Sequence, residues 1–585
     1  MARAFPRVPK NVDLVMYFWW QALEVKLSTR SVGLVSTARL RLQQNNSTFS
    51  TALTKSGKEI YFAVPDHKWP DDVGSASVRI CMIAAGGDAD FAKRIVWTPD
   101  ANQTAGKRYS DEEYSRGMRI ERVPFIPPSL DPAIDTHEIA DLVANSAIGS
   151  AGVKPYARGF IVPDVKTLDC QTRPFANGAT IGQNRPFMRI IDVNHLSEGE
   201  LKCLSPKCYQ HLLEAVFPQR QEERNPRLRS EWWRYEANRT DLRQALSGIP
   251  LYFATLENSP RRYFVPLDQQ VLPDQKLRVI ASDSFAIFSA LSSWPHEKFS
   301  VALGGRAGKA NTPVYNTRCF DGFPFPLAVD PTLKPSDPRF VQHELLCELG
   351  ERLVAFRKSR LAEHDVLTLT GLYNALERLR ELEAGVGEPL TPVEREVHQA
   401  GLISVLREIH DDIDRAVLTA YGWEDLIPAL VGKPGATVPS QHKAEEQNEA
   451  EKVLLARLVA LNQARAAEEK RGMVRWLRPD YQIPKLGAKA PKPEGEHMGV
   501  LDIELPDLAE RPKWPSDGLE QIRLVRDLLA KAPAPTPADA LATVFDGRNS
   551  AKRKDRVEQV LQTLVATGLA RTGEVQGQTR YFLPR

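Results

Sequence analysis

Gly304-Gly-Arg-Ala-Gly-Lys309 sets two cations among three glycines. Glycine lets a backbone come close to another surface. Such a loop can therefore reach a phosphate, or place Arg306 against a guanine edge in a major groove with Lys309 beside it. A plain flexible connection between a helix and a strand fits the same residues. Arg318 comes shortly after and is a candidate second phosphate contact. Upstream, Asn225-Pro-Arg-Leu-Arg-Ser-Glu-Trp-Trp-Arg234 interleaves cations with aromatics. Arg227 and Arg229 can meet phosphates there from the start of a DNA-facing helix. Arginine stacked on tryptophan at an ordinary surface gives the same composition. Near the C-terminus, Arg548, Lys552, Arg553, Lys554 and Arg556 crowd the front of a helix. Such a helix can enter a major groove with its flanking cations on phosphate. A solvated charged face, or a protein-binding surface, is the other reading.

Other chemistries find less support. His67 beside Asp66 could suggest a general base, but no nucleophile is placed nearby, and a polar loop residue accounts for it. Three glycine-containing stretches, 83–87, 150–152 and 304–308, lack the acidic lead or the position of a nucleotide-cofactor loop. The six cysteines are scattered; Cys203 and Cys208 form the one close pair, without partners at zinc-site spacing. Free thiols in a reducing cytosol explain them, and the expected location is cytoplasmic. The net charge of +3 gives no whole-molecule pull toward nucleic acid, so any basic surface must be local. No signal-peptide pattern opens the chain, and no stretch approaches the ~20 apolar residues of a membrane span.

These residues need elements to position them, and 585 residues suffice for three or four domains. Residues 1–105 read as α/β. Leu14, Val15, Phe18, Trp19 and Leu23 recur at helical spacing and predict one buried face, with Trp19 and Tyr17 in the core and Trp20 at the domain edge. Stretches 31–38, 60–64 and 78–84 read as strands. Residues 110–330 read as α+β, with strands at 187–192, 251–256 and 262–265 among polar helices. Residues 336–480 are helical, through runs at 343–359, 366–384, 393–421 and 446–471, interrupted by a polar linker at 431–447. The Pro/Lys-rich stretch 482–515 reads as an extended linker. Residues 516–585 predict three helices and then a hairpin, which is winged-helix order. Thr536 is the expected cap of the second of these helices, with Pro537 at its first position.

Several stretches together resemble one family. The helix Asn11–Leu23 and then the strand Val32–Arg39 have the order found in the second half of a SAM-dependent DNA methyltransferase domain. Phe62-Ala-Val-Pro-Asp-His-Lys-Trp69 and Ser77-Val-Arg-Ile80 resemble its late strands. Tyr315-Asn-Thr-Arg-Cys-Phe-Asp-Gly-Phe-Pro-Phe-Pro326 is similar to the signature closing the target-recognition domain. Leu367-Thr-Leu-Thr-Gly-Leu-Tyr-Asn374 and Val474-Arg-Trp-Leu-Arg-Pro-Asp-Tyr481 resemble the helical C-terminal part. The resemblance is to the class I adenine-N6 DNA methyltransferases, including the single-chain type IIG restriction–modification enzymes and phage-defence relatives. It implies a partial Rossmann-like methyltransferase sheet, an α+β target-recognition domain, a helical region and a C-terminal winged helix. It also implies methyl transfer from S-adenosyl-L-methionine to a flipped adenine.

That chemistry needs an Asp/Glu-x-x-x-Gly-x-Gly loop for the cofactor and an Asn/Asp-Pro-Pro-Tyr/Phe loop for the base, and neither is found in these residues. Arg7-Val-Pro-Lys10 reads as the stretch just after the second of these loops. The expectation is therefore no catalytic or cofactor-binding residue here, and S-adenosyl-L-methionine bound only by the intact enzyme. The expected partners are double-stranded DNA and an N-terminal methyltransferase half on a separate chain, unless the reading frame is a fragment. The open edge of the remaining strands would pair with that half. The rival reading is a non-enzymatic DNA-binding specificity subunit or scaffold.

Overall fold

A helix that buries two adjacent indoles fixes the first layer. In Val15–Glu24 the buried side chains are Met16, Tyr17, Trp19, Trp20 and Leu23. Positions 16, 19, 20 and 23 make the i, i+3, i+4, i+7 stripe of a core-facing helix. Leu14 and Phe18 lie off that stripe, 58% and 48% exposed. The expected Leu14–Phe18 line is thus displaced, and Trp20 is core rather than domain edge, because the larger rings take the interior. Trp19 packs edge-on against Phe49 at 4.8 Å and donates from Nε1 to Ser36 Oγ at 2.7 Å.

The computed structural model describes residues 5–9, 12–24, 31–41, 43–68, 79–86, 94–99, 118–123, 125–128, 130, 139–163, 168–307, 312–386, 389–438, 440, 443–487, 512–532, 536–546, 551–575 and 578–583. Under the first helix runs a five-stranded sheet of β1 (Val32–Thr37), β2 (Glu59–Lys68), β3 (Arg79–Gly86), β4 (Arg94–Pro99) and β5 (Met118–Val123), in the order β1-β3-β2-β4-β5. β3 lies antiparallel between β1 and β2, β2 and β4 are parallel, and β4 and β5 are antiparallel. β5 carries this sheet beyond the segment expected to end near 105. His67 lies within β2 opposite Ile80, not in a loop. A register shift between Val64 and His67 lets pairing continue past Pro65.

Two four-stranded sheets come next along the chain. One is β11 (Val265–Asp268), β10 (Leu251–Leu256), β13 (Leu277–Ile280) and β6 (Gly149–Ala151), in that order. The other is β12 (Leu272–Pro273), β8 (Thr172–Ala176), β9 (Met188–Ile191) and β7 (Ile161–Val162). The second sheet covers its own small core, including Phe160, Ile190, Leu212, Trp232, Trp233 and Tyr235. The first shares one continuous core with the helical region, from Ile139 to Leu477.

The long helices are Phe340–Glu363, Leu369–Glu383, Ile403–Tyr421 and Glu445–Lys470. The run expected at 393–421 breaks after Ala400, where Leu402 adopts φ 44°. The expected linker 431–447 is not a solvated tether. Pro434, Gly435, Ala436 and Thr437 are buried. Lys298 Nζ donates to Gly435 O at 2.7 Å, and Arg262 N to Thr437 O at 3.1 Å. Its polar backbone is what the buried charges around it require. Of the stretch 482–515, residues up to 487 continue the helix Pro479–Leu486, and 488–511 lie outside the described residues.

The chain divides into two units, 1–491 and 492–585. The second holds helices Gly518–Lys531, Ala538–Thr543 and Ala551–Ala566 and the hairpin β16 (Arg571–Val575) and β17 (Gln578–Phe582). Thr536 does not cap the middle helix. Its backbone N–H and C=O instead pair with Tyr581, adding a one-residue third strand to the hairpin. Among the described residues, no helix is long and apolar enough to cross a membrane.

Candidate nucleic-acid interface

Asn225 starts the short helix Pro226–Ser230 by accepting from Arg227 N at 3.1 Å, with Pro226 at the first position. This turn presents Arg227, half exposed. Its Nη1 donates to Glu231 at 3.3 Å and its Nη2 to Glu236 O at 2.5 Å. Arg229 turns inward, donating to Glu223 O at 2.5 Å. Trp232 and Trp233 are 3% and 7% exposed and belong to the core beneath. Arg234 lies 5.5 Å from the Trp233 ring. Arg227 thus stays half exposed while holding Glu231 and Glu236 O, and Arg229 and Arg234 fasten the turn. Lys154 joins the same surface, 2.5 Å from Glu236. Arg158 and Arg224 are exposed nearby in sequence. Sequence reading missed Lys154 and Arg158. The signal was available, because Lys154-Pro-Tyr-Ala-Arg158 interleaves cations and an aromatic as 225–234 does.

The glycine loop is a hairpin. Gly305, at φ 71°, leads the helix Trp294–Gly304 into β14 (Arg306–Ala307), which pairs with β15 (Thr312–Pro313). A Cβ on Gly304 would lie 1.8 Å from Val314 O, so this glycine serves the packing of helix against strand. Arg306 sits at the start of β14, and Lys309 lies outside the described residues. Arg318 opens the short helix Arg318–Asp321 and is occupied internally. Its Nη2 donates to Ile139 O at 2.9 Å and its Nε lies 3.7 Å from Asp141. Burial, and Asp141 nearby, push the Asp321 carboxyl up to about 7. A phosphate would meet an acidic neighbourhood there.

The other glycine stretches are equally structural. Residues 83–85 lie inside β3, paired on both sides, and Gly86 pairs with Glu59 of β2. A Cβ on Gly152 would lie 2.2 Å from Asp274 O. Neither leaves a cradle for a nucleotide, so the described glycines do not fit a cofactor loop. In the terminal unit Lys552 is exposed, whereas Arg553 donates to Phe545 O at 3.5 Å and Lys554 lies 3.5 Å from Asp539. Arg556 donates to Gln521 at 3.0 Å. Arg548 lies outside the described residues.

No protein-family model and no curated protein sequence matches this chain. Among solved structures it is similar to the type IIL restriction-modification enzyme MmeI, determined in complex with DNA. The TM-score is 0.56 and the identity 17%, over 80% of this chain and 54% of MmeI. The type IIG restriction endonuclease BpuSI matches with TM-score 0.19 and 11% identity, over 70% of this chain and 50% of BpuSI. The chain thus spans about half the length of either enzyme. What it shares with MmeI is the fold, extending over four-fifths of its residues.

Proposed function

We propose that these residues form the target-recognition and C-terminal part of a site-specific adenine-N6 DNA methyltransferase of a restriction–modification or phage-defence system. The fold shared with MmeI across 80% of the chain carries this reading. The two sheets and the Arg227 surface read the DNA, the long helices brace them, and the terminal unit is an accessory winged helix. On this reading the loop that binds S-adenosyl-L-methionine and the Asn-Pro-Pro-aromatic loop would lie on sequence outside these 585 residues. When bound, that cofactor supplies the methyl group.

The first sheet supports such a division. Among the described residues β1 pairs only with β3, so its outer row of N–H and C=O groups is open. Val35 on β1 is 50% exposed, as are Leu14 and Phe18 to similar degrees. An open edge rimmed by apolar side chains is a template for another strand. We read it as the seam to the catalytic half.

The purified chain, titrated into labelled duplex DNA over a salt series, should bind with an affinity that falls as salt rises. With S-adenosyl-L-methionine it should leave adenine unmethylated until the catalytic half is added. Absence of duplex binding at low salt would overturn the recognition role. Methyl transfer by the chain alone would overturn the division. The rival reading, a non-enzymatic specificity subunit or scaffold, would bind DNA yet acquire no activity from any methyltransferase partner. In the terminal unit the internal engagement of Arg553 and Lys554 favours protein contact over DNA contact.

A further inference from the structure

Tyr156 combines three properties seldom found together. Its backbone is left-handed, at φ 68°. A bulky side chain is rare there and signals strain. Its ring is nonetheless 48% exposed, so burial does not repay that strain. And cations surround it. Lys154 Nζ lies 5.4 Å and Arg220 Cζ 5.7 Å from the ring centroid, while Arg158 is exposed two residues on.

The turn has no slack with which to relax. Lys154 N donates to Ala237 O at 2.9 Å, and Ala237 N to Lys154 O at 3.1 Å. A Cβ on Gly159 would lie 2.6 Å from Ala215 O, so the chain on the far side is pinned as well. Beneath the ring, Arg220 is fully buried between Tyr156 and Phe160, whose centroid is 5.9 Å away. Its Nη2 donates to Pro155 O at 2.8 Å and to Arg234 O at 3.1 Å, while Nε and Nη1 lack partners. A buried guanidinium is thus set under an exposed ring, and the fold holds the ring outward on a rigid surface where Lys154 and Arg227 are paired with Glu236 and Glu231 and Arg158 is exposed.

We propose that Tyr156 is a stacking platform for a nucleotide of the bound DNA, with Lys154 and Arg158 placed for the flanking phosphates. This rests on the reading of the chain as a DNA-recognition part. A base inside a duplex has both faces covered by its neighbours, so the platform takes a nucleotide extruded from the stack; any base then serves, because every base has a π-face. The site would therefore add affinity and positioning rather than sequence choice.

The test uses the full chain and a fluorescein-labelled mixed-sequence duplex carrying one unpaired nucleotide. Tyr156→Gly removes the ring and relieves the left-handed strain. It should weaken binding about tenfold, within the range for loss of one stacked base, while its melting temperature stays level or rises. A tyrosine that merely held the fold together would lower the melting temperature instead. Tyr156→Phe should restore affinity. Lys154→Ala should reduce the steepness of the salt dependence by about one phosphate's share, whereas Tyr156→Gly should leave it alone. If the wild-type chain binds duplex and Tyr156→Gly binds within about twofold of it, the platform is overturned and the recognition role stands. If the wild-type chain binds no duplex, both fall.

Discussion

The helical region of the first unit is packed around charge, and the terminal unit is packed around hydrocarbon. In the first, Arg380 is fully buried, donating from Nη2 to Asp411 at 3.0 Å while its Nε and Nη1 lack partners. Asp414 accepts from Trp294 N at 2.7 Å, and Glu377 accepts from Gly435 N. Arg357 donates to Tyr373 at 3.0 Å, leaving the Tyr373 hydroxyl proton for His410 Nε2, 2.8 Å away. Burial, with Arg380 and Arg357 near, holds that imidazole well below its usual range, so it is neutral and accepts. In the terminal unit the core is Val525, Leu528, Leu541, Phe545, Val557, Leu561 and their apolar neighbours. Among its described residues only Gln521 and Thr536 are buried polar groups.

The difference concerns what each core is for. An apolar core is stable with any well-packed apolar filling. A buried ionic network tolerates one arrangement only, since a misplaced partner leaves a charge in low dielectric. Helices 369–383, 403–421 and 445–470 are tied to one another and to helix 294–304 through such a network, with Lys298 on helix 294–304 within 3.2 Å of Glu451. That arrangement fixes the register of these helices against one another.

Removing one side of the network should produce the largest effect. Arg380→Met leaves Asp411 and Asp414 without their buried cation and should cost about 3–5 kcal/mol in denaturant unfolding. Replacing Asp411 by an apolar residue and Asp414 by Asn, which keeps the acceptor for Trp294 N, should recover most of it in the same chain. A single-variant cost below about 1 kcal/mol would break the contrast. The matching change in the terminal unit is Leu561→Ala, at a fully buried position. It should cost about 2–4 kcal/mol through transfer and cavity. Hydrogen exchange should show protection lost in the three terminal helices.

The pH dependence sharpens the contrast further. Burial pushes Asp414 up from 3.8 to about 7, with Arg380 pulling the other way. The folded state keeps this proton where the unfolded state has lost it. The stability it contributes is therefore full below about pH 4 and is lost as pH rises through 7. Asp414→Asn keeps the acceptor for Trp294 N and removes the titration. Stability of the wild type relative to Asp414→Asn should fall by about 1.4 kcal/mol per pH unit across that window and level off above it. A difference that stays flat with pH would place the proton elsewhere. Exchange protection in the terminal unit, which buries no carboxylate among its described residues, should not track this profile.

Much of this architecture could be read from periodicity. Strand 251–256 and the long helices fall where apolar spacing put them, because one-sided burial repeats at a fixed interval. What escaped was anything set by partners distant in sequence. Leu14 and Phe18 carry the apolar signal of a buried stripe but face outward. The polar stretch 431–447 reads as solvated until Lys298 and Glu377 are seen reaching its backbone. Among the candidate contacts, composition could not distinguish Arg227, 47% exposed, from the less exposed Arg229 and Arg318, although a backbone carbonyl accepts from the guanidinium of each. The strain at Tyr156 has no sequence signature, since only the closed turn imposes it.

The smallest effect is expected where the sequence looks most basic. On helix 551–566 the exposed charges are Lys552, Asp555, Arg556 and Glu558, two of each sign. With Lys554 part-exposed beside them, the two carboxylates leave that face only a small net positive charge. Arg553 and Lys554 are partly withdrawn toward Phe545 O and Asp539, although an exposed pair like Lys554–Asp539 is worth little by itself. Neutralising Lys552, Arg553 and Lys554 together should therefore change duplex affinity by less than about threefold and leave the salt slope within about one unit of wild type. A helix lying in a major groove would lose close to one unit of slope for each phosphate contact removed. A drop of about two or more would put this helix on DNA and make the terminal unit a second reader, whereas an unchanged slope assigns it to a protein partner.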